Sequence, residues 1–100
     1  MISRQWRGLA RHEAAAEYQA HLQSETFPEI RKIAGFIDAT ILKRPLANGV
    51  EFLVMTRWEA LDAVARFAGD DVEAAVVPRK VQGMLLEYDL RVRHYEVVEG

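Results

Sequence analysis

Ile2, Arg4 and Trp6 alternate with Ser3, Gln5 and Arg7 as far as Gly8, a period of two that predicts a short first strand ended by glycine. From Arg11 the period lengthens. Ala14, Ala15, Tyr18 and Leu22 recur at helical spacing while Glu13, Glu17 and Gln23 fall opposite, the pattern of an amphipathic helix. Pro28 lacks a backbone donor and biases Phe27 away from helical angles, so a break or kink is expected there, with a second helical piece over 29–33 and Gly35 as its cap. Two β-branched and aromatic runs, 36–42 and 50–58, flank Asn48-Gly49, a dipeptide that takes up positive φ at low cost and predicts an antiparallel hairpin. A second helix is expected around Leu61, Val64, Ala65 and Phe67, with Gly69 at its C-cap, then a loop to Lys80 with one helical turn around 72–76. A long alternating strand over 85–98 closes the chain, with Tyr88, Leu90, Val92 and His94 on one face.

The order β-α-β-β-α-β predicts an α+β, ferredoxin-like domain: a four-stranded antiparallel sheet with both helices on one face. The other face is not patterned for water. Leu53 and Met55 oppose Phe52, Val54, Thr56 and Trp58 in strand three, and Ile37 and Ile41 oppose Phe36 and Leu42 in strand two. A second copy of the chain is therefore expected to cover that face, giving a homodimer through sheet faces.

Length and charge narrow the functional classes. One hundred residues, half of them hydrophobic and 28% charged, describe a single folded domain over 1–100. A net charge of −2 without a basic cluster argues against nucleic acid as a partner, and strand three lacks the aromatic signature of RNA-binding domains of this topology. The absence of cysteine removes disulfides, thiolate metal sites and a cysteine nucleophile. No apolar run is long enough for a signal sequence or a membrane span, so no membrane partner and a cytoplasmic location are expected. Ser3 and Ser24 sit in no nucleophile elbow, and no glycine-rich phosphate cradle occurs.

Among titratable side chains, His94 is the leading candidate base, because an imidazole near neutrality can take a phenol proton. Trp6, Tyr18 and Trp58 are candidate walls for a planar ligand, against the alternative that each simply packs the core. Arg4 and Arg57 are expected in ion pairs. His21 and Glu25 are four residues apart on the first helix, but His12 is out of step with them, so no metal site is expected.

Tyr18 and Leu22 in the first helix, Pro28, Gly35-Phe36, Thr56-Arg57-Trp58, Phe67-Ala68-Gly69, Val77-Pro78 and Val92-Arg93-His94-Tyr95 together resemble the antibiotic biosynthesis monooxygenase family of dimeric α/β barrels. The resemblance spans nearly the whole chain. It implies a dimer with a pocket between sheet and helices, and oxygenation without metal or flavin in which an electron-rich phenol or hydroquinol, once deprotonated, itself reduces dioxygen. Cofactors are accordingly expected to be none. It also implies that Trp58 lines the pocket; Trp58 and the candidate base His94 are the expected catalytic pair, with Trp6, Tyr18, Phe36, Phe67 and Tyr88 as the expected pocket aromatics. An asparagine that holds substrate oxygen in some members would fall at Val54. Haem-degrading relatives use an asparagine on strand one and a histidine in the second helix, and neither is present here. Two functions follow: a cofactor-independent monooxygenase acting on a small quinol, phenol or polyketide-like aromatic, or a non-catalytic dimer that binds a small molecule or serves a structural role.

Overall fold

A computed structural model describes all residues, Met1–Gly100. Strand β1 (Ile2–Ala10) leads through a short 3-10 turn (His12–Ala14) into α1 (Ala15–His21), a π-helical turn (Leu22–Thr26) and α2 (Phe27–Ile30). The hairpin β2 (Phe36–Leu46) and β3 (Gly49–Trp58) follows, then α3 (Leu61–Ala68), α4 (Arg79–Gln82), β4 (Leu85–Tyr88) and β5 (Arg93–Glu96). The sheet runs β2-β3-β1-β4, wholly antiparallel, with β5 pairing the other half of β1. This is the expected α+β, ferredoxin-like arrangement.

The helix face of the sheet carries Arg4, Trp6, Gly8 and Ala10 of β1, registered against Thr56, Val54, Phe52 and Val50 of β3. Tyr18, Leu22, Phe27 and Ile30 pack onto it, and Phe52 and Trp58 are fully buried. Complete burial of one large apolar side chain contributes roughly 1.5–3 kcal/mol, so these few residues dominate the core. Gly8 is required by a close approach: a Cβ there would lie 2.3 Å from Cη2 of Trp6, whose indole lies along the strand over it.

Pro28 is accommodated without a break. Its ring would strike the carbonyl of Ser24 in a regular α-helix, and the turn just before it is widened instead, Phe27 N–H donating to Leu22 O. π-helical turns of this kind recur at functional sites.

Four local expectations are corrected. The β2–β3 turn is formed by Ala47 and Asn48, between the Leu46–Gly49 pair, and neither Asn48 nor Gly49 has positive φ. Glycine stands at 49 because a Cβ there would lie 2.3 Å from the Ala10 carbonyl oxygen. In β2 the register shifts between Phe36 and Asp38, leaving Ile37 as the extra residue of a bulge. Phe36 thereby joins Ala39 and Ile41 on the helix face, and Leu42 moves to the opposite face beside Leu53.

The single strand expected over 85–98 is two strands. Between them Asp89 is captured by β1, its backbone carbonyl accepting from Trp6 Nε1 (3.0 Å) and its N–H donating to Arg7 O (2.9 Å). Residues 90–92 turn instead to the segment after α3, where Ala75 N–H donates to Leu90 O and Val92 N–H to Glu73 O. That segment is extended at Ala74, so the helical turn expected over 72–76 is absent, and the turn of helix lies at Arg79–Gln82.

Candidate functional site

A cavity of about 70 Å³ lies between the helix face of the sheet and α1–α2. β1 supplies Arg4 and Trp6, and β3 supplies Val54 and Thr56. The long helical segment contributes Tyr18, His21, Leu22, Thr26, Phe27 and Ile30, α3 contributes Phe67, and the stretch Val76, Val77, Pro78, Val81 with Val92 forms the remaining wall. The lining is mostly hydrophobic, and five side chains with polar groups belong to it: Arg4, Tyr18, His21, Thr26 and Thr56.

Arg4 is 5% exposed and has no carboxylate partner. Its Nη1 donates to Val72 O (2.6 Å) and to His94 Nε2 (3.0 Å), and its Nη2 to Ala74 O (2.9 Å). Those contacts use three of the five guanidinium hydrogens. The carboxylate nearest in sequence to these carbonyls, Glu73, is turned toward Arg91 (3.5 Å). Burial pushes the Arg4 pKa down to about 10, so it remains cationic at neutral pH. A guanidinium removed from water without an anion is costly, and carbonyl dipoles and the face of Phe67, 5.6 Å from Cζ, offset only part of that cost.

His21 is 8% exposed, and its two nitrogens differ. Nδ1 lies 3.3 Å from Glu25 Oε2, one helical turn on, while Nε2 has no hydrogen-bond partner in the protein. Glu25 is in turn gripped by Lys80 Nζ at 2.9 and 2.7 Å. Lys80, and to a smaller extent His21, hold the Glu25 carboxyl below its usual range. A carboxylate on Nδ1 selects the tautomer that leaves the Nε2 lone pair free.

Thr56 Oγ1 accepts from Trp58 Nε1 (2.8 Å), which leaves its own hydroxyl hydrogen to donate elsewhere. Trp58 is fully buried behind the cavity, stacked on Phe67 (6.0 Å between centroids, 23°) and met edge-on by Phe36. Tyr18 packs edge-on against Phe52 at 5.0 Å, and burial pushes its hydroxyl well above the usual phenol range, so it stays a neutral donor.

Of the residues singled out from sequence, Trp6, Tyr18 and Phe67 line the cavity. Trp58, Phe36, Tyr88 and His94 lie outside its lining. His94 does face the helix side of the sheet, paired with Arg4 across β1–β5, and its Nε2 lone pair is occupied by Arg4. Burial and the neighbouring Arg4 charge lower its pKa. Arg57 pairs with Asp38 as expected, whereas Arg4, expected in an ion pair, makes none. His21, weighed only as a metal ligand, is the imidazole that reaches the cavity. No group of three metal-ligating side chains includes it.

The fold is that of the antibiotic biosynthesis monooxygenase type. No family profile and no curated protein matches the chain at the sequence level. Among solved structures, a candidate antibiotic biosynthesis monooxygenase from Deinococcus radiodurans superposes with a TM-score of 0.72 at 17% identity, over all of this chain and 95% of the other. One from Bacillus cereus does so with a TM-score of 0.67 at 20% identity, over the same shares. MhuD, a heme-degrader from Mycobacterium tuberculosis with two hemes bound in its active site, gives a TM-score of 0.70 at 18% identity, over all of this chain and 98% of MhuD.

Proposed function

We propose that the protein is a cofactor-independent monooxygenase for a small, electron-rich phenol or hydroquinol. The observation that carries this reading is the pairing, in one apolar cavity of this fold, of a buried cation without a carboxylate, Arg4, and an imidazole nitrogen without a hydrogen-bond partner, His21 Nε2. Deprotonating a hydroquinol there yields an anion able to reduce dioxygen. One oxygen atom enters the ring in place of a hydrogen, the other leaves as water, and the hydroquinol is carried to a hydroxyquinone. The protein supplies position, desolvation and charge stabilisation.

In this reading His21 takes the role first expected of His94, and His94 is a positioning residue that holds Arg4. Trp58 supports Phe67 and Thr56 from behind. Val54, where the resemblance places an asparagine in some oxygenases, faces the cavity without a polar group, and the donors beside it are Arg4 and Thr56.

The active form in this proposal is a homodimer in the cytoplasm, joined through the sheet face that bears Leu42, Leu53 and Met55. No helix is long and apolar enough to cross a membrane. Isotopically heavy dioxygen tests the reaction. One heavy atom in the product and one in water is the expected outcome, and binding without any oxidised product would favour a non-catalytic binding protein.

A further inference from the structure

We propose that the cavity binds a monocarboxylic acid with an apolar tail, its carboxylate lying on the free edge of the Arg4 guanidinium and against His21 Nε2. This inference goes beyond the oxygenase reading and does not rest on it. Where both hold, such an acid competes with the phenol for Arg4.

Arg4 supplies the place for the head group. Its bonds to Val72 O, Ala74 O and His94 Nε2 leave the Nε hydrogen and one at Nη2 unused. Nε is not shut away: the only enclosed side-chain nitrogen or oxygen without a partner is His21 Nε2, so Nε opens onto the cavity that Arg4 lines. Nε and Nη2 share one edge of the guanidinium, and their spacing matches the two oxygens of a carboxylate, where a phenol offers one. A carboxylate also arrives already charged, so it needs no base, and it supplies the counter-ion that Arg4 lacks.

His21 completes the head-group site. Its Nδ1 faces the Glu25 carboxylate, which Lys80 holds. A second carboxylate at Nε2 puts an acceptor on each side of the ring, an arrangement that only the doubly protonated imidazolium satisfies. One proton therefore passes from solvent to His21 as the anion enters, and an N–H bond forms at Nε2. Around His21 stand Glu25 one turn on, Lys80 from α4, and Arg4 and Tyr18 in the cavity, with His94 bonded to Arg4.

The walls set the tail. The remaining polar side chains of the lining, Tyr18, Thr26 and Thr56, are neutral, and the rest is apolar, from Trp6 and Leu22 to Val77 and Val81. An apolar tail is buried against like surface, whereas a second carboxylate would enter without a cation to meet it. Dicarboxylates are thereby excluded from the class.

Calorimetric titration of the whole protein, slightly above neutral pH, with 3-methylbutanoate, its neutral amide and succinate tests this. Repeating it in two buffers of different ionisation heat counts the protons. The expected result is one 3-methylbutanoate per chain, bound with proton uptake, and at least tenfold weaker binding of the amide and of succinate. Arg4→Lys, which keeps the charge but not the paired donors, is expected to weaken the acid at least tenfold, and His21→Gln to bind it without proton uptake. No binding of the acid to the unmutated protein, or an amide bound as tightly as the acid, overturns the proposal whatever the variants do. Binding without proton uptake in the unmutated protein, or uptake that persists in His21→Gln, overturns the place given to His21. Acid binding with no oxygen uptake from any hydroquinol leaves this inference standing and removes the oxygenase reading instead.

Discussion

Arg4 Nη1 and His94 Nε2 lie 3.0 Å apart across the β1–β5 pair, the arginine donating to an imidazole that must be neutral to accept. That bond explains why a histidine well placed in sequence to be a base is not free to act as one. It also joins the end of the chain to the cavity, because the guanidinium that His94 steadies holds Val72 O and Ala74 O, in the segment that leads to the cavity wall at Val76 and Val77.

The same bond makes stability depend on pH. Burial first, and the Arg4 charge second, lower the His94 pKa, while Glu73 opposes them weakly. Between the folded value and the unfolded value of about 6.5 the unfolded chain holds more protons, so stability is lost as pH falls through that window. Thermal melts from neutral to mildly acidic pH are expected to show a steeper decline in the unmutated protein than in His94→Gln, which still accepts from Arg4 but does not titrate. Parallel curves would contradict this.

Gly8→Ala is expected to cost about 1–3 kcal/mol through overpacking, because the new methyl would meet the Trp6 ring. Displacing the indole also strains its bond to Asp89 O, which anchors the break between β4 and β5. Denaturant unfolding gives the loss, and a shifted tryptophan emission in the folded state reports the moved ring.

Trp58→Phe removes the Nε1–Thr56 bond and part of the stack on Phe67 while keeping an aromatic ring. A loss of about 1–3 kcal/mol is expected for a buried hydrogen bond broken on one side. Because Trp58 stands behind the lining, oxygenase activity in this variant is expected to fall less than in Arg4→Lys when both are compared at equal folded fraction. Equal or greater loss would place Trp58 against the substrate.

Leu53→Arg tests the dimer. The open sheet face combines Leu42, Leu53 and Met55 with ion pairs in which Glu51, buried at 9% exposure, is shared by Arg44 at 2.6 Å and Arg7 at 2.7 Å. Sedimentation is expected to find twice the chain mass for the unmutated protein and one chain mass for the variant. A monomeric unmutated protein would refute the sheet-face pairing.

The element order and the buried positions Trp6, Tyr18, Leu22 and Phe67 were legible in hydrophobic periodicity, because burial enforces it; that Trp6 and Phe67 line a cavity was not. What escaped depends on competition between backbone partners. Nothing local marks Ile37 as a bulge, and the interruption at 89–92 exists because the Trp6 indole takes the Asp89 carbonyl and the 73–75 segment, in place of β1, bonds the backbone of Leu90 and Val92. His21 was hidden differently. It lies three residues after Tyr18 on the buried stripe, with Glu25 one turn on, so the spacing was visible, but a histidine on an apolar face reads as core until its second nitrogen is found without a partner.

Dissolved-oxygen consumption with a panel of single-ring hydroquinols, corrected for autoxidation without protein, is the most direct test of the central claim. The account predicts uptake above the control that drops at least tenfold in both Arg4→Lys and His21→Gln with the fold intact, and less in His94→Gln. Uptake no greater than autoxidation across a panel whose members are shown to bind would contradict it.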